Sequence, residues 1–149
     1  FWGVEYFFAK TDGVKSAISG FMGGHTKNPT YEAVIYTNTG HYEVVQVAYD
    51  EKKVTYEELA KLFFEIHDPT QENGQGPDIG ERYKSVVFVS NTKEEEIVKS
   101  LIDTLSSRGL KVATTIKPAS EFYAADEYHQ SYYAKKGSKP YCHSRIKRF

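Results

Sequence analysis

The sequence predicts an α+β fold, a two-layer sandwich with a split βαβ (ferredoxin-like) core. Three observations predict it. Helical and strand-like patterns alternate along the chain in the order helix, strand, strand, helix, strand, helix, strand, helix-like tail. Hydrophobic residues make up 40% of the 149 positions and aromatic residues 15%. A chain of that length buries roughly 70% of its unfolded surface, enough for a packed core. Finally, the chain opens on Phe1-Trp2-Gly3, two large rings at the head of a helical pattern. Termini usually fray, whereas a Trp buries a large apolar area when it packs. One further strand before Phe1 is therefore expected, and it turns the opening into βαβ.

Taken in order, Val4 to Ala9 reads as a short helix with Trp2 at its start, and Thr11-Asp12-Gly13 as a turn. Val14 to Phe21 is β-like, and a polar loop containing Pro29 follows the Gly23-Gly24 pair. His41 to Tyr49 is the clearest strand: Glu43, Val45, Val47 and Tyr49 share one face, and Tyr42, Val44, Gln46 and Ala48 the other. Thr55 with Glu58 forms a capping box ahead of a helix whose stripe is Leu59, Leu62, Phe63 and Ile66. Asp68-Pro69 stops that helix. A Gly- and Gln-rich loop then runs to Arg82, long enough to be a functional loop. Lys84 to Ser90 is a buried strand. Thr92 and Glu95 suggest a second capping box, Ile97, Val98, Leu101, Ile102 and Leu105 a second stripe, and Gly109 its stop. Val112 to Lys117 is a strand, and Ala124 to Ala134 a tyrosine-rich final helix. Residues 1–149 are expected to form one domain.

Composition excludes several function classes. A net charge of −1 supplies no field for nucleic acid or an anionic membrane. No apolar run approaches the length of a membrane-spanning helix. The single cysteine, Cys142, rules out a disulfide framework within these residues and a thiolate zinc cluster.

Several residues invite a chemical reading. Glu43 shares its strand face with Val45 and Val47, so burial would raise its pKa and let it donate a proton near neutral pH. The residue alone also fits an exposed strand-end carboxylate. Asp78, in a loop fixed by glycines and Pro77, could orient a hydroxyl or water, or bond its own backbone as turn aspartates do. Tyr31 and Tyr83 could donate to an oxyanion-like oxygen, although most of the twelve tyrosines must be structural. His67-Asp68 reads as a helix stop rather than a ligand pair, and no metal is assigned. Cys142, near His143 and Arg145, is either a reactive tail thiol or an incidental one.

Taken together the motifs resemble the peptide methionine sulfoxide reductases of the A type. The resemblance runs through Phe1-Trp2-Gly3-Val4-Glu5, Gly20-Phe21-Met22-Gly23-Gly24 and Asn28-Pro29-Thr30-Tyr31 to Thr39-Gly40-His41-Tyr42-Glu43. It continues in His67-Asp68-Pro69-Thr70, Gln75-Gly76-Pro77-Asp78-Ile79-Gly80 with Arg82-Tyr83, and Tyr128-His129-Gln130. Each motif is weak alone, but the ordered set is highly specific.

The resemblance implies that Phe1 and Trp2 wall a pocket for the substrate's S-methyl group. It implies that Glu43 protonates the sulfoxide oxygen, that Tyr31 and Tyr83 hydrogen-bond it, and that Asp78 helps hold the site. The nucleophile, a cysteine or selenocysteine, is expected immediately before Phe1, delivered by the expected first strand, with Cys142 as the resolving cysteine of a disulfide that thioredoxin reduces. The implied substrate is methionine S-sulfoxide, free or in proteins. No cofactor, nucleic acid or membrane is implied, and a cytoplasmic monomer is expected. Two other readings stand beside it: a module that binds oxidised methionine without reducing it, and a hydrolase using Glu43 and Asp78 as an acid–base pair.

Overall fold

The computed structural model describes residues 1–76, 78–130 and 145–149. Helix α1 (Trp2–Ala9) leads into the long strand β1 (Val14–Met22). A short helix α2 (Tyr31–Tyr36), strand β2 (Tyr42–Tyr49) and helix α3 (Tyr56–Ile66) follow. Next come β3 (Gly74–Gln75) and β4 (Asp78–Ile79), then a 3-10 turn at Glu81–Tyr83 and β5 (Val86–Val89). Helix α4 (Thr92–Ser107), β6 (Thr115–Pro118), β7 (Tyr123–Ala124) and a second 3-10 turn at Glu127–His129 complete the order. The fold is mixed α/β.

β1 is the spine of a three-stranded antiparallel sheet ordered β2-β1-β7. Its register sets Ala17 against Val47 and Phe21 against Glu43, with an irregularity between Val14 and Ser16. Gly20 faces Ala124 across the β1–β7 pair. A Cβ on Gly20 would lie 2.3 Å from the Tyr123 carbonyl oxygen and 2.5 Å from the Phe122 ring, so only glycine admits this approach. β5 and β6 pair in parallel, joined through α4.

Helix α3 carries two apolar faces. Leu59, Leu62 and Ile66 pack with Phe8 and Val54, while Ala60 and Phe64 pack with Val89, Val98, Leu101 and Leu105. Thr55 caps it, accepting from the Glu58 amide at 3.1 Å. In α4 the cap sits one residue earlier than the sequence suggests. Asn91 Oδ1 accepts from the Glu94 amide at 2.9 Å, and Glu94 accepts from the Ser90 amide at 2.8 Å. At the far end Leu110 N–H donates to Leu105 O and Gly109 N–H to Ser106 O, both at 3.1 Å, with Gly109 at φ +90°. This is a Schellman stop.

Three expectations need correction. Residues 31–36, read as part of a polar loop, form α2, because Thr30 caps it by accepting from the Ala33 amide at 3.1 Å. Six residues are too short to display a helical stripe. The long loop before Arg82 contains the β3–β4 hairpin and a 3-10 turn. The final helix predicted from Ala124 does not start there: Tyr123–Ala124 is a strand paired to β1, and only Glu127–His129 turns. Residues 131–134 of that predicted helix lie outside the described residues. The described residues include no helix long and apolar enough to cross a membrane.

Candidate active site

The site assembles from both ends of the chain. Glu43 stands near the start of β2, opposite the buried Phe21 of β1. Its side chain is 5% exposed, and the Phe1 nitrogen at the head of α1 lies 3.5 Å from Oε1. The other carboxyl oxygen, Oε2, is buried with no hydrogen-bond partner among the described residues. The Phe1 ring sits 6.2 Å from Tyr31 and 6.5 Å from Trp2. These residues, with Asp78, Arg82 and Tyr83, line one cavity of about 420 Å³.

Local structure explains these positions. Tyr42, next to Glu43, donates its hydroxyl to Glu81 at 2.8 Å, and Lys84 pairs with the other Glu81 oxygen at 2.7 Å. This ties the start of β2 to the 3-10 turn that carries Arg82 and Tyr83. Asp78 is set by the β3–β4 hairpin, where it faces Gln75. Gln75 is held in turn: its side chain accepts from the Asp68 amide at 3.0 Å and donates to the Asp68 carbonyl at 2.7 Å. The loop entering α2 is clamped by His41. Its Nδ1 accepts from the Gly24 amide at 3.1 Å, so Nε2 carries the proton donated to the Thr26 carbonyl at 2.7 Å.

Burial dominates the electrostatics. It pushes the Glu43 carboxyl above its usual range and Asp78 adds to the push, while the Phe1 amino group and Arg82 pull the other way. Burial also raises the Tyr31 and Tyr83 hydroxyls, reinforced by Glu43 and Asp78, so both remain proton donors at neutral pH. Tyr42 is pushed up to about 12 by burial and its bond to Glu81. A carboxyl inclined to hold its proton and two phenols therefore border one apolar-walled cavity. Such a set suits an acceptor oxygen next to an uncharged, methyl-bearing group.

A family model described as "Peptide methionine sulfoxide reductase" matches residues 1–149. The chain belongs to the peptide methionine sulfoxide reductase family. Among curated relatives, "Peptide methionine sulfoxide reductase MsrA" of Nautilia profundicola is 45% identical over 142 residues, covering 95% of this chain and 82% of that protein. Among solved structures, reduced Mxr1 of Saccharomyces cerevisiae superposes with a TM-score of 0.88 at 35% identity, covering 100% of this chain and 87% of that one. Mxr1 in complex with Trx2 superposes with a TM-score of 0.61 at 28% identity, covering 97% and 82%.

Of the residues singled out in the sequence, Phe1, Trp2, Tyr31, Glu43, Asp78 and Tyr83 border this same cavity. Cys142 lies outside the described residues. His67 stands in a buried chain: its Nδ1 lies 2.5 Å from the Phe63 carbonyl and its Nε2 2.7 Å from Ser85 Oγ, which is 2.6 Å from Thr114 Oγ1.

The sequence reading missed one residue that lines the site and two that support it. Arg82 stacks its guanidinium over the Tyr83 ring at 4.7 Å and has a buried Nε with no partner among the described residues. His129 accepts from the Trp2 indole at 3.2 Å and stacks on Tyr31 at 4.0 Å. Gln130 accepts from the Ser19 amide at 2.9 Å and donates to the Ser19 and Ala125 carbonyls, extending the β1 pairing by a side chain. The Tyr128-His129-Gln130 motif was the only signal for the last two.

Proposed function

We propose that the chain reduces methionine S-sulfoxide, free or within proteins, to methionine through a cysteine nucleophile bonded directly to Phe1. One observation carries the assignment of roles. The Phe1 nitrogen lies 3.5 Å from a buried Glu43 carboxyl, so a residue bonded to that nitrogen stands beside the acid. The substrate's S-methyl group rests against Phe1 and Trp2, and its oxygen receives hydrogen bonds from Tyr31 and Tyr83. The thiolate attacks the sulfur while Glu43 delivers a proton to the oxygen. That attack forms a transient S–S bond; the protonated oxygen then passes to the cysteine sulfur as the S–S and substrate S–O bonds break, so methionine leaves and the cysteine holds the oxygen as a sulfenic acid. The Cys142 thiol then forms a disulfide with that sulfur and releases water. A thioredoxin dithiol reduces the disulfide, by analogy with Mxr1, which has been solved in complex with Trx2.

The same reading places an extended segment ahead of Phe1, completing the split βαβ core. Among the described residues β2 pairs only with β1, and β5 only with β6. The cavity runs between those two strands, bordered by residues 43–47 and 85–88. A strand there would satisfy both edges and join the two sheets. Residues 1–149 are then one domain, proposed to work as a monomer in the cytoplasm, where thioredoxin keeps thiols reduced.

The test uses the protein with its upstream residues. Cys142→Ser should still reduce one equivalent of sulfoxide per enzyme in a single turnover, and thioredoxin-driven turnover should collapse. Undiminished turnover would remove Cys142 from the mechanism. No sulfoxide consumption by the wild type would remove the reductase reading itself.

A further inference from the structure

His129 ends the second 3-10 turn and is 6% exposed, and it packs against three of the rings that line the cavity. It stacks on Tyr31 at 4.0 Å, lies nearly parallel to Trp2 at 5.6 Å and 16°, and meets Phe1 at 5.7 Å. The Trp2 indole N–H reaches its Nδ1 at 3.2 Å. An indole nitrogen only donates, so Nδ1 must hold a lone pair and the ring must be neutral with its proton on Nε2. An imidazolium carries protons on both nitrogens and cannot accept this bond.

We propose that neutral His129 is a positioning residue that holds in place Trp2, a wall of the methyl-binding pocket, and Tyr31, a donor to the sulfoxide oxygen, and that its protonation releases Trp2 and weakens substrate binding. The inference rests on the pocket reading above.

The surroundings of His129 set where this happens. Burial, the largest influence, opposes protonation, as does the Phe1 amino group from α1. Asp126, just before the turn, and Glu32 on α2 favour it. The remaining neighbours among the described residues, Phe1, Trp2, Tyr31 and Tyr128, present rings. The balance lowers the imidazole pKa below its ordinary value. Continuing the chain upstream of Phe1 turns that amine into a neutral amide and leaves burial in place.

Trp2 is the only tryptophan among the 149 residues, so its indole is a direct reporter. The experiment follows Trp2 emission, the ¹⁵N resonance of its side-chain N–H, and KM and kcat for methionine S-sulfoxide from pH 8 to 4.5. In the wild type, emission and resonance should titrate together with a midpoint below about 6.5. KM should rise across the same window. In His129→Asn, whose Oδ1 accepts but takes up no proton, all three signals should be flat with pH. In His129→Phe, which stacks but cannot accept, KM should be raised about tenfold at every pH, the loss of one hydrogen bond to a buried donor.

An emission titration that persists in His129→Asn would overturn the proposal, as would a wild-type KM flat across the window. Should both variants fail to fold, the wild-type indole resonance decides: if it does not move with pH, the coupling is absent. Trp2→Phe separates the two layers of inference. If its KM is unchanged, the pocket reading fails; if its KM rises while His129 titrates without effect, only this proposal fails.

Discussion

Glu43 illustrates how one side chain trades stability for chemistry. Its folded pKa is raised, so the fold disfavours the ionised form. The stability it contributes is fully present below the unfolded value of about 4.3 and is lost as pH rises through the folded value. Glu43→Gln should therefore melt higher than wild type at pH 8, and calorimetry should show the gap closing towards pH 4. The same variant should reduce sulfoxide about 10²-fold more slowly, as expected on losing a general acid, with KM little changed. Tyr31 and Tyr83 belong to the same scale. Both hydroxyls are raised and stay protonated, so Tyr31→Phe and Tyr83→Phe should each cost about 10-fold in single-turnover rate, with the loss unchanged between pH 6 and 8.5.

At the scale of elements, two glycines that look alike in sequence make opposite demands. A Cβ on Gly109 meets nothing within 4 Å, and only its φ of +90° resists substitution. Gly109→Ala should cost about 1 kcal/mol through backbone strain alone and leave KM unchanged. A Cβ on Gly20 runs into the Tyr123 carbonyl and the Phe122 ring, both backed by β7. Gly20→Ala should cost about 1–3 kcal/mol. Because β7 leads directly into the turn bearing His129, it should also raise KM. Thermal melts paired with steady-state kinetics on the two variants separate a local strain from a displaced wall.

Across the whole molecule, the last five residues are fastened to α3 by one buried carboxylate. Glu65, 5% exposed, accepts from Arg145 Nη2 at 3.0 Å and from the Arg148 amide at 3.2 Å, while its own carbonyl accepts from the Ile146 amide at 2.7 Å. Arg148 also reaches the Phe64 carbonyl at 2.8 Å, and Phe149 packs on the Phe64 ring. Arg145 itself is 63% exposed, so its charge is screened and the worth of the latch lies in the hydrogen bonds around Glu65. Glu65→Ala should lower stability by about 1–3 kcal/mol in urea unfolding. The single-turnover rate should not change, because the acid and both phenols belong to other elements.

What the sequence by itself determined is what short-range chemistry writes down. The alternation of β2, the cap of α3, the stripes of α3 and α4 and the Gly109 stop were legible because each depends on neighbours within a few residues, while the α4 cap was placed one residue late. The ordered motifs gave the family for the same reason: residue identities and spacings survive without coordinates. Helix α2 was too short to show a period, and β7 was misread because its partner β1 lies about a hundred residues away. The site was only half legible. Its members could be named, but their meeting depends on contacts such as Phe1 with Glu43, 42 residues apart, and Trp2 with His129, 127 apart. Only the tertiary structure decided that Glu43 is desolvated, that Arg82 joins the cavity, and that His129 packs against two of its lining rings, Trp2 and Tyr31. Burial and hydrogen-bond pairing are properties of an enclosure, and an enclosure exists only once distant segments have closed around it.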